Sequence, residues 1–196
     1  MGTQACDGSP CAFYDAVKDL LIVVYGDDFV VVGFGETLLD FETELATHLS
    51  MTRKAFIGHE DGDDKHGRIL NRIICLEDDG LHWEADPRHA ELIVRELGLE
   101  QAKPQTTPKS SRDDLIDLEP LKPEGAKAYR SVTARLNYLA LDRLELLFAA
   151  KECSRAASAP TRGDLTRLKR VGRFLLHAPR ARVLYEFQDE VTQLGG

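Results

Sequence analysis

The sequence predicts an α+β fold: an antiparallel sheet with packed helices, then a linker, then a helical C-terminal unit. Three observations predict it. Two nearly continuous β-branched runs, residues 20–24 and 29–32, flank a short polar turn, as in a hairpin of buried strands. Later segments carry apolar residues at helical spacing between recognisable caps. Residues 101–123 are rich in Pro, Ser, Thr and charge with no sustained period, which separates the two halves.

Each element follows in order. Residues 1–8 read as disordered, and residues 10–14 as a short strand leading into the hairpin. Gly26 opens the turn, where a tight hairpin can require positive φ. Residues 36–49 read as an amphipathic helix, with Leu38, Leu39, Phe41, Leu45 and Leu49 near helical spacing after Gly33 and Gly35. Residues 52–57 suit a strand, and residues 58–67 an acidic loop. Its His59, Glu60, Asp61, Asp63, Asp64 and His66 match neither a zinc helix nor an EF-hand, which leaves a solvated connection.

Residues 68–76 and 81–84 then form a hairpin, with Asp79-Gly80 as its turn signal. Asp86 is an N-cap, Pro87 the first helical residue and Gly98 the stop of a helix whose Leu92, Ile93 and Leu97 face a core. Beyond the linker, Tyr129, Val132, Leu136, Leu139 and Ala140 make one helical stripe, and Leu144, Leu147 and Phe148 begin another. Pro160-Thr161 introduces a third helix, with Leu165, Leu168, Val171 and Leu175 inward, which ends by Pro179. The organisation is therefore an α+β unit over residues 9–98, a linker over 99–123, a basic helical unit over 124–187 and a tail over 188–196.

Composition bounds the function. A chain of 196 residues with 43% apolar content can bury a real core in one domain or two. No apolar stretch reaches membrane-spanning length, because Gly26-Asp27-Asp28 interrupts the longest, and no membrane role is expected. The N-terminus lacks a basic region followed by an apolar core, so the chain is expected inside the cell, with cytoplasm and nucleus not distinguished. Cys6, Cys11, Cys75 and Cys153 are scattered and read as reduced thiols. Net charge is −8, yet residues 126–182 carry +9 and the remainder −17. That asymmetry suits a module gripping a polyanion, and equally a set of solvated helix faces.

Tyr25-Gly26-Asp27-Asp28 carries the chemistry. Adjacent carboxylates at the tip of an apolar hairpin suit divalent metal. Two metals about 3.5–4 Å apart, sharing carboxylates, activate a hydroxyl and stabilise a leaving pyrophosphate. Successive side chains diverge, which makes Asp27 the expected direct ligand and Asp28 the auxiliary. An ordinary hairpin with a polar turn would use the same letters.

Several separated segments together resemble one family, the reverse transcriptase of copia-type long-terminal-repeat retrotransposons. The Asp-Asp hairpin resembles the family's palm hairpin, preceded by a strand similar to Ser9-Pro10-Cys11-Ala12-Phe13. Residues 38–57, 68–98 and Gln105-Thr106-Thr107-Pro108 resemble the palm, primer-grip and Thr-Pro segments that follow. Most specific are Tyr129-Arg130-Ser131, then Leu136-Asn137-Tyr138-Leu139-Ala140 with Asp142-Arg143, then Pro160-Thr161 and the basic run from Leu168 to Leu175. Leu144-Glu145 stand where the family usually has Pro-Asp.

The resemblance implies a palm-type sheet and RNA-directed DNA polymerase chemistry by two-metal nucleotidyl transfer. Asp27 and Asp28 would hold Mg²⁺ or Mn²⁺, and Tyr25 would lie near the primer end. Arg68, Asn71 and Trp83 would belong to the primer-grip region, and Arg162, Arg167, Lys169, Arg170 and Arg173 would track the nucleic-acid backbone. The implied partners are an RNA or DNA template–primer, deoxynucleoside triphosphates, and the remaining Pol segments, fingers and ribonuclease H, in the same or a companion chain. The family also uses an Asp on an earlier palm strand, and only 24 residues precede Tyr25. Little or no polymerase activity is therefore expected of this chain alone. The alternative is a non-catalytic nucleic-acid-binding remnant of the same lineage. A viral RNA-dependent RNA polymerase palm shares Gly-Asp-Asp, but the Thr-Pro linker and the Asn-Tyr-Leu-Ala block speak against it.

Overall fold

The computed structural model describes residues 3–109 and 117–188. It has two four-stranded sheets, ordered β1-β2-β3-β4 and β5-β6-β7-β8, and five α-helices among the described residues. One compact unit comprises the residues up to Leu70 together with Ile74–Asp78, and the other Asn71–Ile73 together with those from Asp79 on.

In the first unit, β1 (Gln4–Cys6), β2 (Ser9–Asp15), β3 (Leu20–Tyr25) and β4 (Asp28–Val32) form an antiparallel meander. Gln4–Cys6 is thus a strand where the sequence reads as disordered: Gln4 and Ala5 pair with Tyr14 and Phe13, a ladder that local composition does not announce. Asp15 is buried and its Oδ1 accepts from the backbone N–H of Val17 and Lys18, both at 3.0 Å, which ties down the β2–β3 turn. Helix α1 (Gly35–Ala46) supplies Phe41 and Leu45 to a small core with Leu20 and Ile22, flanked by Phe13, Val24, Val31 and Leu38.

The register shows which side of the hairpin this core uses. Ile22 pairs with Val31 and Val24 with Phe29 on the core side. Leu21 pairs with Val32, Val23 with Val30 and Tyr25 with Asp28 on the other side, where Leu21, Val23, Tyr25 and Val32 are exposed. The apolar runs read as strands covered on both faces, whereas within this unit only one face is packed. A continuous apolar run leaves open which face finds a partner.

Helix α1 stops at Ala46, short of the predicted Leu49, which is exposed. The segment predicted as a strand over residues 52–57 has only an isolated bridge, Ile57 to Asp64. The acidic loop closes on its own backbone instead: Asp64 Oδ2 accepts from Phe56 N–H at 2.9 Å and Asp63 Oδ2 from Glu60 N–H at 3.1 Å. The single strand expected over residues 68–76 is two, β5 (His66–Ile69) and β6 (Arg72–Glu77). Leu70 and Asn71 break it with φ of 48° and 65°, a left-handed conformation that Asn tolerates better than most residues.

In the second unit, β7 (Gly80–Glu84) leads into α2 (Pro87–Glu96). Asp86 caps α2, its side chain accepting from Arg88 N–H at 3.0 Å, and Gly98 follows with φ of 65°. Then come α3 (Pro123–Ala140), a 3-10 turn over Leu144–Leu146, α4 (Leu147–Arg155) and α5 (Arg162–His177). A reciprocal capping box of Thr161 and Asp164 starts α5. Ile93 of α2 shares one core with Leu136, Leu139, Leu146, Leu168, Val171 and Leu175. The Gly172 backbone lies so close that an added Cβ would sit 2.6 Å from Leu99 Cδ1.

Packing therefore joins α2 to the helices beyond the linker, although the sequence divides them at residues 99–123. Strand β8 (Arg182–Glu186) pairs antiparallel with β7, Trp83 opposite Val183, within the basic unit assigned to residues 124–187 but past the third helix, whose expected end is by Pro179. Its partner lies about a hundred residues earlier, beyond the reach of any local pattern. No described helix is long and apolar enough to cross a membrane.

Candidate active site

The β3–β4 hairpin closes with two central residues, Gly26 and Asp27, between the paired Tyr25 and Asp28. Gly26 has φ of 63° with open space around it, so the backbone conformation rather than crowding calls for glycine. This turn lifts Asp27 into solvent and starts β4 with the half-buried Asp28. Tyr25 is 66% exposed beside them. Strand pairing thus brings Tyr25, Asp27 and Asp28 to one tip.

A cation already meets this tip. Lys54 Nζ donates to Asp28 Oδ1. That hydrogen bond and the Asp28 charge hold the Lys54 ammonium above the usual lysine range, and the Asp27 charge adds to the effect. The neighbouring Arg53 turns elsewhere, donating from Nε to Glu42 Oε1 at 3.0 Å and lying 5.2 Å from the centre of the Phe56 ring. The structure sets Asp28, rather than Asp27, against the ammonium. Two adjacent carboxylates are hard oxygen donors, the set that Mg²⁺ and Mn²⁺ take, and Asp28 already carries a cation as an ion pair with Lys54. Among the described residues no third His, Cys, Asp or Glu completes a three-ligand group at this turn. Nothing in the sequence singles out Lys54, since its partner lies 26 residues away and a lone Lys does not predict the contact.

The expected primer-grip residues lie apart from one another in kind. Arg68 is exposed on β5, and Asn71 occupies the β5–β6 turn. Trp83 is half-buried, its indole Nε1–H directed at Asp142 Oδ1, 3.4 Å away. Arg72 donates from Nε to both Asp142 oxygens at 2.9 and 3.0 Å, and its guanidinium is 5.9 Å from the Trp83 and Tyr138 ring centres. Asp142 and Arg72 therefore hold Trp83, with Arg72 also set against Tyr138, an arrangement that sequence spacing does not reveal.

The basic residues of α5 divide by direction. Lys169 and Arg173 are exposed, four residues apart, on one side of the helix. Arg162 is exposed and pairs with Glu119 at 2.8 Å. Arg170 is half-buried. Arg167 turns inward, 14% exposed, donating to Glu152 O at 3.1 Å beside Asp164. Arg143, one of the thirteen basic residues of the +9 segment, is 2% exposed and serves the fold. Its Nη1 and Nη2 donate to Ala178 O at 2.9 and 3.0 Å, and its Nε to Glu145 at 2.7 Å. Positive charge in sequence thus overstates positive charge presented to a ligand.

Among the cysteines, Cys153 is set aside from any chemistry by its burial. Cys153 is buried, and burial pushes its thiol up to about 11, which keeps it protonated and inert. Its carbonyl accepts from the buried Tyr129 hydroxyl at 2.7 Å. Burial likewise raises the Tyr129 phenol above the ordinary tyrosine range.

Comparison with known proteins places the chain. It is 29% identical over 158 residues to the retrovirus-related Pol polyprotein from transposon RE1 of Arabidopsis thaliana. It is 27% identical over 160 residues to that from transposon RE2 of the same organism. These alignments cover 81% and 82% of this chain and 10% of each relative, so the chain spans about a tenth of the length of the curated relatives it matches. No family model and no solved structure matches. The chain is thus similar to retrotransposon Pol polyproteins. The two relatives are of the copia type, which bears out the family resemblance carried by the sequence motifs.

Proposed function

We propose that this chain is the palm, primer-grip and thumb portion of an RNA-directed DNA polymerase of a copia-type retrotransposon. The observation that carries the reading is the hairpin tip, where Asp27 and Asp28 stand side by side and Asp28 meets a cation. The kinship with Pol polyproteins supports it.

In this reading Asp27 and Asp28 hold Mg²⁺ or Mn²⁺. The bound metal supplies activation of the primer hydroxyl and charge stabilisation of the leaving pyrophosphate. The chain's own residues do the rest by position. The two-residue turn, made possible by Gly26 at positive φ, and the β3–β4 ladder place the two carboxylates together at one tip. Tyr25, paired with Asp28 and exposed, offers an aromatic face beside the carboxylates on which a nucleotide can rest. Lys169 and Arg173 present charge to phosphates without reading sequence.

The donor set among the described residues stops at two carboxylates, and this favours a second reading, a nucleic-acid-binding remnant without catalysis. Primer extension on an RNA template with Mg²⁺ or Mn²⁺, together with template–primer binding, separates them. The polymerase reading expects metal-dependent binding or extension that Asp27→Asn/Asp28→Asn removes. Salt-sensitive binding indifferent to that double substitution, with no extension, selects the remnant. A chain that neither binds nor extends a template–primer overturns both.

A further inference from the structure

We propose that Lys54 is a resident counter-ion of the Asp27–Asp28 pair, which a divalent metal must displace, so that Lys54 sets the metal affinity of the tip. The inference rests on the reading of these carboxylates as metal ligands.

Three features of the first unit carry it. Lys54 Nζ sits on Asp28 Oδ1, an oxygen a metal would need, so ammonium and metal compete for the same lone pairs. The pair is built to exchange: the Lys54 side chain is 69% exposed, and can swing into solvent and rehydrate, whereas Asp28 is 31% exposed and stays fixed in β4. The adjacent Arg53 is committed to Glu42 on α1 and makes no contact with the tip, so the competition belongs to one residue rather than to a diffuse positive field. While metal is absent, Lys54 relieves the repulsion between neighbouring carboxylates. On metal binding it is released, and its charge stays near the tip without occupying a ligand position.

The test measures Mn²⁺ binding to the full chain by the electron paramagnetic resonance signal of free Mn²⁺. It compares the parent with Lys54→Met, Lys54→Gln, Arg53→Gln and Asp27→Asn/Asp28→Asn. An exposed ion pair is weak, so both Lys54 variants should bind Mn²⁺ about two- to fivefold more tightly, with Arg53→Gln near the parent. The double Asp substitution should abolish the site. Lys54 variants that match the parent, or bind more weakly, while the Asp substitution still abolishes binding, overturn this inference and leave the metal reading standing. An equal tightening in Arg53→Gln also overturns it, since a general field would then suffice. If parent and Lys54 variants bind no better than the double Asp variant, the metal reading falls and this inference with it.

Discussion

Replacing Lys169 and Arg173 together by Gln tests how much of the C-terminal charge reaches a nucleic acid. Both side chains are exposed on one side of α5, whereas Arg167 on the same helix is turned inward against Glu152 O and Asp164. Each phosphate contact contributes about 0.7–0.9 to the slope of log K against log salt, through counterion release. Losing two contacts should therefore flatten the slope by about 1.4–1.8. At about 0.1 M salt, relative to a 1 M reference, that corresponds to binding weaker by about 25- to 60-fold. Arg167→Met should leave the slope unchanged and cost about 1–2 kcal/mol of stability instead, from its lost bond to the Glu152 carbonyl. Fluorescence anisotropy of a labelled RNA–DNA template–primer, titrated from about 50 to 400 mM KCl, reads the slopes directly. The reasoning is refuted if Arg167→Met flattens the slope as much as the double substitution, or if the double substitution leaves it untouched.

Arg143→Met keeps the buried stem and removes the fork that satisfies Ala178 O and Pro179 O, so it should destabilise the fold by about 2–4 kcal/mol. Glu145→Gln should cost less than about 1 kcal/mol, since Glu145 remains solvated; urea unfolding measures both, and equal small losses would refute the assignment. His89 packs on Tyr138 with ring centres 4.7 Å apart, and burial lowers its pKa below 6.5, with Arg135 and Arg88 adding and Asp86 opposing. The unfolded chain therefore takes up the proton first as pH falls. The stability from neutral His89 is present above the unfolded value, declines as pH drops below it, and levels off below the folded value. His89→Phe should lessen the fall in unfolding midpoint between about pH 7.5 and 5.5; an identical fall in both proteins would sink the argument.

Much was legible in the residues. Asp86, Pro87 and Gly98 delimit α2, and Thr161 starts α5, because caps are local chemistry satisfied within one helical turn. The β3–β4 hairpin was legible because Gly26 sits where the turn needs positive φ and the apolar runs on either side are long enough to pair. For the same reason the tip residues Tyr25, Asp27 and Asp28 could be named in advance.

What the residues alone could not decide involves partners distant in the chain. β8 is a strand only because β7 offers an edge about a hundred residues upstream. Leu70 and Asn71 split an apparently continuous strand, since a single Asn is a weak turn signal and the left-handed Leu70 beside it gives none. Net charge assigned thirteen basic residues to one segment, and only folding turned Arg143 and Arg167 inward and left Lys169 and Arg173 outside. The same holds at the tip. Sequence determined that two carboxylates would stand at a turn, because pairing rules act over a few residues; tertiary structure decided that Asp28 meets Lys54, because ion pairing acts through space and is blind to the 26 residues between them.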